Sequence, residues 1–85
     1  MKLVVEKQAA KVLIRLQPRI ALAIRHAIAV IAADPYGNHP QAKHLNGTKS
    51  GYRLRHGDWR VLYRIERDTD TLFVEDIRQR GHGYD

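Results

Sequence analysis

The chain has 85 residues, which is enough for one domain, residues 1–85, with a single modest hydrophobic core. Its 15 Lys and Arg against 9 Asp and Glu give a formal net charge of +6, which either keeps the protein soluble or attracts nucleic acid, an acidic protein segment or an anionic membrane surface. The chain has no cysteine, so it can form neither a disulfide nor a thiolate metal site. It shows no signal peptide and no apolar run long enough to span a membrane, so we expect a cytoplasmic protein that has no membrane partner.

The N-terminal half is predicted to form one strand followed by two helices. The β-branched run KLVVEK at residues 2–7 predicts the strand. Apolar residues then recur at helical spacing, at Ala9, Val12, Leu13 and Leu16. Pro18 suits the first turn of a second helix, which should end near Asp34 because Pro35 disfavours helical geometry in the residue before it. Because almost nothing joins the two helices, they should form an antiparallel hairpin.

The C-terminal half is predicted to form a long loop and a three-stranded antiparallel meander. Residues 35–51 contain two prolines, three glycines and two asparagines, which is typical of a loop. Strands are expected at residues 52–55, 59–66 and 71–80, separated by turns at HGD and RDTD. The predicted fold class is α+β in the order β-α-α-β-β-β, with the N-terminal strand and helix hairpin packed on a twisted antiparallel sheet. Both faces of the last strand carry a charge, so its faces are not assigned.

Arginines occupy alternate positions in the two strands on either side of the HGD turn. Strand alternation places Arg53 and Arg55 on one face of the first strand, and Arg60 and Arg64 on one face of the second. The apolar residues take the opposite face, so we expect these arginines to face solvent on the open side of the sheet. Neighbouring like charges repel, and the pattern therefore indicates either an anion site or a solvated face on which long side chains splay apart.

The histidines and carboxylates show no spacing typical of a metal site. The candidates His26, His39, His44 and His56 are not paired at ligand spacing, and no carboxylates complete a set. We therefore expect neither a metal nor a small-molecule cofactor.

The sequence resembles the RelE/ParE toxin superfamily of bacterial toxin–antitoxin modules from Met1 to Tyr84. The resemblance is carried by LVVEKQAAKVLIRL, the helix ending in ADP, the KHLNG loop and the C-terminal IRQRGHGY. Its strongest part is GYRLRHGDWRVLYRI, which is similar to the strand-turn-strand core of the family: a basic strand, a turn with glycine, and an aromatic residue followed by arginine.

The RelE-like branch of the superfamily cuts messenger RNA in the ribosomal A site without metal, and the resemblance implies this endoribonuclease activity, which inhibits translation. The 2′-hydroxyl attacks the adjacent phosphate and leaves a cyclic phosphate and a 5′-hydroxyl, a reaction that needs a proton acceptor, a proton donor and positive charge. By similarity, Arg60 and Arg80 match the arginines after the turn and on the last strand. Tyr84 matches the tyrosine behind that strand, and His82 is the alternative proton acceptor.

The remaining site residues are assigned to RNA phosphate binding. Arg53 and Arg55 stand where some family members have lysines, and arginine stays charged near pH 7, so we assign them to binding and not to proton transfer. Arg64 is assigned to the same role. Arg78 either binds RNA or is a solvated charge at a strand end.

Two other functions stay open from the sequence. The ParE-like branch of the superfamily inhibits DNA gyrase and cuts nothing, but it generally lacks the arginine–tyrosine set that Arg80 and Tyr84 provide here. The third alternative is a binding module that holds RNA or ribosome without chemistry. The resemblance also implies an acidic antitoxin protein as partner, together with messenger RNA and the 70S ribosome.

Overall fold

A computed structural model of the chain describes residues 1–80. It contains two helices and a five-stranded sheet, which confirms the predicted α+β class. The elements are β1 (Lys2–Val5), α1 (Lys7–Arg15), α2 (Pro18–Ala33), β2 (Ala42–His44), β3 (Gly51–His56), β4 (Trp59–Glu66) and β5 (Thr71–Gln79). The strand order across the sheet is β1-β5-β4-β3-β2.

The helices contribute one side of a single core, and the sheet contributes the other. Pro18 is the first residue of α2, and the helix ends at Ala33, followed by the capping residue Asp34, whose backbone N–H donates to the carbonyl of Ile31. The buried helical residues are Ala9, Leu13, Ile24, Ile28, Ile31 and Ala32, and the buried apolar strand residues are Leu54, Val61, Tyr63, Ile65, Leu72, Val74 and Ile77. Within residues 1–80, neither helix is long and apolar enough to cross a membrane.

The sheet differs from the predicted one in two respects. β1 pairs in parallel with β5, so the sheet is mixed and not wholly antiparallel. The short strand β2 lies inside the segment that composition predicts as loop, and it pairs antiparallel with β3. Three residues such as Ala42, Lys43 and His44 have little strand propensity of their own, and β2 forms because the edge of β3 offers unpaired backbone groups.

A β-bulge explains why both faces of β5 carry charge. Tyr63 pairs with Val74 while the preceding residue of β4 pairs with Asp76, so Glu75 is an extra residue without a partner in β4. The bulge shifts the alternation, and Val74 and Ile77 can both be buried on the helix side although they are three positions apart.

Candidate nucleic-acid interface

Five cationic side chains share the sheet face that is opposite the helices, which we call the basic face: Lys43, Arg53, Arg55, Arg60 and Arg78. The strand register places Arg55, Arg60 and Arg78 directly beside one another on β3, β4 and β5. Lys43 is likewise the register partner of Arg53. The predicted convergence of arginines on one face is therefore present across β3, β4 and β5, and Lys43 extends the basic face to β2.

Arg60 is buried in the middle of this face, with only 4% of its surface exposed. The prediction that Arg60 faces solvent is therefore wrong. The predicted strand alternation is right, because the next residue, Val61, points to the helix side. Arg60 lies on the central strand between Arg55 and Arg78, and side chains on both neighbouring strands restrict its contact with water. A buried guanidinium in an arginine row gives this face a fixed positive charge.

The basic face includes a cleft of about 190 Å³ between β2 and β3. It is lined by Pro40, Gln41, Lys43, Arg53 and Arg55, so three of its five lining residues are cations and none is a carboxylate. The Nε atom of Arg53 is buried there without a hydrogen-bond partner among the described residues. The N–H of Arg55 donates to the carbonyl of Gln41 at 2.8 Å and fixes the cleft wall. A cleft with this lining can accept an anion such as a phosphate.

Lys43 is a residue of the site that sequence reasoning missed. It lies in the segment predicted as loop, where nothing assigns a side chain to a face. The sequence Ala42, Lys43 and His44 shows no alternation of apolar and polar residues, and three residues are too few for periodicity to predict a strand.

Arg64 belongs to a different environment from the basic face. Its Nη1 atom lies 3.3 Å from a carboxylate oxygen of Glu6 and 2.9 Å from one of Glu75, and its Nε atom lies 3.1 Å from one of Glu66. Its guanidinium also lies 4.1 Å from the ring centroid of Phe73. Partial burial lowers the pKa of Arg64, but the hydrogen bonds that its guanidinium donates to the three carboxylates outweigh this effect and raise the pKa above its usual range.

The carboxylate cluster argues against the predicted role of Arg64 in binding RNA phosphate. A phosphate would have to displace three carboxylates that are already in place. Glu6 stands at the N-terminal end of α1 and makes no capping bond with its side chain, because its carboxylate is directed to Arg64. Arg64 thus connects the start of α1 to β4 and β5.

Two predicted site residues mark the end of β5. The Nε of Arg78 donates to Asp76 at 2.7 Å, and its side chain is 43% exposed. Arg80 is exposed, and its backbone N–H donates to the carbonyl of Asp58 at 2.7 Å, which holds this end of the chain against the β3–β4 turn. The other two predicted residues, His82 and Tyr84, lie outside the described residues.

The described strands place no histidine or tyrosine on the basic face. The register pairs His44 with Tyr52, Tyr52 with Tyr63, and His56 with Trp59, all on the helix side. Burial, together with a smaller effect of the nearby Tyr52, raises the pKa of Tyr63 to about 12. Tyr63 is therefore a poor proton acceptor at neutral pH.

No group of three or more His, Asp or Glu side chains within residues 1–80 could hold a metal ion. The chemistry that the described part of this face offers is the binding of negative charge by guanidinium and ammonium groups.

An α+β domain with a helix pair on one sheet face and arginines on the other has the fold of the small RelE/ParE toxins. The sequence model of the family described as "ParE toxin of type II toxin-antitoxin system, parDE" matches residues 3–84. This match spans nearly the whole chain, so the protein belongs to that family and is the toxin of a toxin–antitoxin module of the RelE/ParE superfamily.

Solved structures are similar over nearly their full length. A toxin–antitoxin complex, RelBE2 from Mycobacterium tuberculosis, has 25% identity and a TM-score of 0.75, with 93% of this chain and 96% of that chain covered. A RelE–RelB complex from Pyrococcus horikoshii OT3 has 22% identity and a TM-score of 0.80, covering 96% and 97%. A YoeB/ParE toxin from Agrobacterium tumefaciens has 21% identity and a TM-score of 0.78, covering 94% and 99%. The last two show a common fold only, and no curated protein matches this sequence significantly.

Proposed function

We propose that this toxin is a ribosome-dependent, metal-independent endoribonuclease that cuts messenger RNA in the A site and so inhibits translation. The observation that supports this most is the row of Arg55, Arg60 and Arg78 across three strands, beside a cleft lined by Lys43 and Arg53. Like charges on neighbouring strands repel, and although Arg78 is paired with Asp76 at 2.7 Å, an RNA phosphate would offset more of the repulsion along this row.

The proposed reaction forms a bond between the 2′-oxygen and phosphorus and breaks the bond between phosphorus and the 5′-oxygen. A proton leaves the 2′-hydroxyl, and another reaches the departing 5′-oxygen, so the products are a cyclic phosphate and a 5′-hydroxyl. Arg60, with Arg80, would stabilise the extra negative charge on phosphorane oxygens, and Arg53 and Arg55 would hold the flanking backbone. The proton acceptor is proposed to be Tyr84 or His82, as the resemblance implies.

An acidic antitoxin is the proposed protein partner. The chain carries a formal net charge of +6, and the M. tuberculosis structure that is 25% identical is a complex of toxin with antitoxin. An acidic, amphipathic segment would pair with the basic face, and this pairing should speed association and make it depend on salt. The neighbouring coding sequence should therefore encode a small protein that co-purifies with this one.

A second candidate function, inhibition of DNA gyrase, is supported by the family match to ParE toxins. It is also consistent with a basic face on which the described strands carry neither histidine nor tyrosine. A gyrase inhibitor needs binding energy from this face but no proton transfer.

One experiment separates the proposals. The purified toxin is added to translating ribosomes, and breaks in the messenger are mapped by primer extension, while the same preparation is tested for inhibition of gyrase supercoiling. The RNA proposal expects A-site breaks with a 5′-hydroxyl and unaffected gyrase. Inhibited supercoiling with an intact messenger would instead support the ParE-like activity, and no effect in either assay would support a binding module without chemistry.

A further inference from the structure

A second cleft, away from the basic face, lies where three connections meet at one end of the sheet. We call it the terminal cleft; its volume is about 170 Å³, and its lining residues are Tyr36, Lys49, Ser50, Tyr52, Ile65 and Arg67. Tyr36 comes from the α2–β2 connection, Lys49 from the β2–β3 connection, and Arg67 from the β4–β5 connection. The proposed cleavage reaction uses none of these residues.

Tyr36 and Arg67 form a preordered pair at the mouth of this cleft. The Nε of Arg67 donates to the hydroxyl of Tyr36 at 3.1 Å, and its guanidinium lies 4.8 Å from the centroid of the tyrosine ring. Tyr36 is nevertheless 53% exposed. Among the described residues Arg67 has no ion pair with a carboxylate, and its terminal nitrogens are not used in the bond to Tyr36.

The turns that carry these side chains are also held in place. The N–H of Gly37 donates to the carbonyl of Asp34 at 3.0 Å, and this bond closes the turn that presents Tyr36. The carbonyl of Lys49 lies 3.2 Å from the Nε2 of His44, and the hydroxyl of Thr48 donates to a neighbouring carbonyl within the same connection. Ordered turns reduce the conformational entropy that a ligand would otherwise have to remove.

An exposed aromatic ring with two cations beside it suits a nucleotide. A base can stack on the ring, and a guanidinium and an ammonium can bind the phosphate next to that base. We propose that the terminal cleft is a second contact for single-stranded RNA, with Tyr36 as the stacking residue and Lys49 and Arg67 as the phosphate ligands. This proposal rests on the proposed action on RNA and adds a binding site outside the reacting centre.

RNA fits this cleft better than an acidic protein segment does. An amphipathic segment needs an apolar strip beside the cations, and the only aliphatic lining residue is Ile65, which is buried with 4% exposure. Strand alternation places Tyr52 and Ile65 of the terminal cleft on the helix side of the sheet, whereas the basic face is on the opposite side. The two sites can therefore be tested independently.

The test measures binding of a fluorescent single-stranded RNA of about twelve nucleotides by anisotropy, over a series of salt concentrations. Tyr36→Ala should weaken binding about fivefold or more and leave the salt dependence unchanged, because stacking is not an ionic contact. Arg67→Gln should weaken binding and reduce the slope of log K against log salt by about 0.7, the value for one phosphate on a single strand. Tyr36→Phe keeps the ring and should bind nearly as the unaltered toxin does.

Lys11→Gln is the matched control, since it removes one exposed charge from α1, away from both sites. The proposal is supported if Tyr36→Ala and Arg67→Gln lose affinity for RNA, Lys11→Gln does not, and thermal unfolding is unchanged in all three variants. If Lys11→Gln weakens binding as much as Arg67→Gln does, the effect is one of net charge and the proposal is overturned.

The binding data distinguish a failure of the proposed function from a failure of the terminal-cleft proposal. If Arg55→Gln weakens RNA binding but Tyr36→Ala and Arg67→Gln do not, the terminal cleft is refuted and the basic face stands. If no variant alters RNA binding, the terminal cleft is refuted, while the proposed function is decided separately by break mapping on translating ribosomes. If a poly-glutamate peptide binds the toxin, and Tyr36→Ala weakens the binding of that peptide but not of RNA, the cleft serves an acidic protein and the RNA proposal is overturned.

Discussion

Replacing Arg64 with methionine should destabilise the fold because it removes the cation on which three carboxylates converge. Methionine keeps an apolar stem against Phe73 while it deletes the charge. The Arg64 side chain is 26% exposed, and the side chains of the three glutamates are 39% (Glu6), 41% (Glu66) and 42% (Glu75) exposed. Water therefore screens these pairs substantially, and they should be assessed as partly exposed ion pairs.

The expected magnitude follows from those exposures. A partly exposed ion pair contributes about 0.2–1 kcal/mol, and the contact with Phe73 about 0.5–1 kcal/mol. Because one cation serves all three carboxylates, the contributions do not add fully. Removing it also leaves three carboxylates close together and repelling one another. We expect Arg64→Met to lower the free energy of unfolding by about 2 kcal/mol at low salt.

Urea denaturation followed by circular dichroism measures this loss, with Arg25→Met as control because Arg25 is exposed on α2. In about 1 M NaCl, where the Debye length is about 3 Å, the loss should fall to about half. A loss below about 0.5 kcal/mol would refute the account of Arg64 as a connection between α1 and the sheet. A loss that is the same at low and high salt would show that packing, and not charge, causes it.

Three further predictions concern the core, the basic face and the proton acceptor. Arg60→Ala should lower the stability in urea and should also lower the cleavage rate by about 10²–10³. Arg55→Ala should lower the cleavage rate alone. If the two variants are equally stable, the result contradicts the burial of Arg60. The pKa of Tyr63 is about 12 in the fold against 10.0 ordinarily, so its contribution to stability is complete below about pH 10 and is lost as the pH rises toward about 12. Tyr63→Phe should lack this loss between about pH 10 and 12, and a parallel decline in the stability of both proteins would contradict the prediction. Tyr84→Phe should leave ribosome binding intact and slow cleavage by about 10²–10⁴. If Tyr84→Phe cleaves at the normal rate and His82→Gln cleaves slowly, His82 is the base.

The sequence predicts those parts of the fold that depend on local periodicity. Apolar residues at helical spacing predict both helices, and Pro18 and Pro35 mark the limits of α2. Alternation along β3 and β4 is enough to place Arg55 and Arg60 on a common face, because successive side chains in a strand point to opposite sides. No long-range information is needed for either conclusion.

Features that depend on distant partners could not be predicted in this way. The ligands of Arg64 include Glu6, which is 58 residues away, and Glu75, whose position depends on a bulge. Lys43 reaches the basic face because its segment pairs with the edge of β3, and its own propensity gives no sign of this. Arg60 is buried because its strand is central in the sheet, and strand order is a property of the whole chain.

Break mapping with a pair of charge variants can establish whether the basic face acts on the phosphate backbone of messenger RNA on the ribosome. Unaltered toxin, Arg55→Gln and Lys11→Gln would be added in equal amounts to translating ribosomes, and the A-site breaks would be quantified by primer extension. We expect Arg55→Gln to lose at least about tenfold in break yield, while Lys11→Gln cuts as the unaltered toxin does. Equal cutting by all three proteins, or an intact messenger with the unaltered toxin, would contradict this expectation.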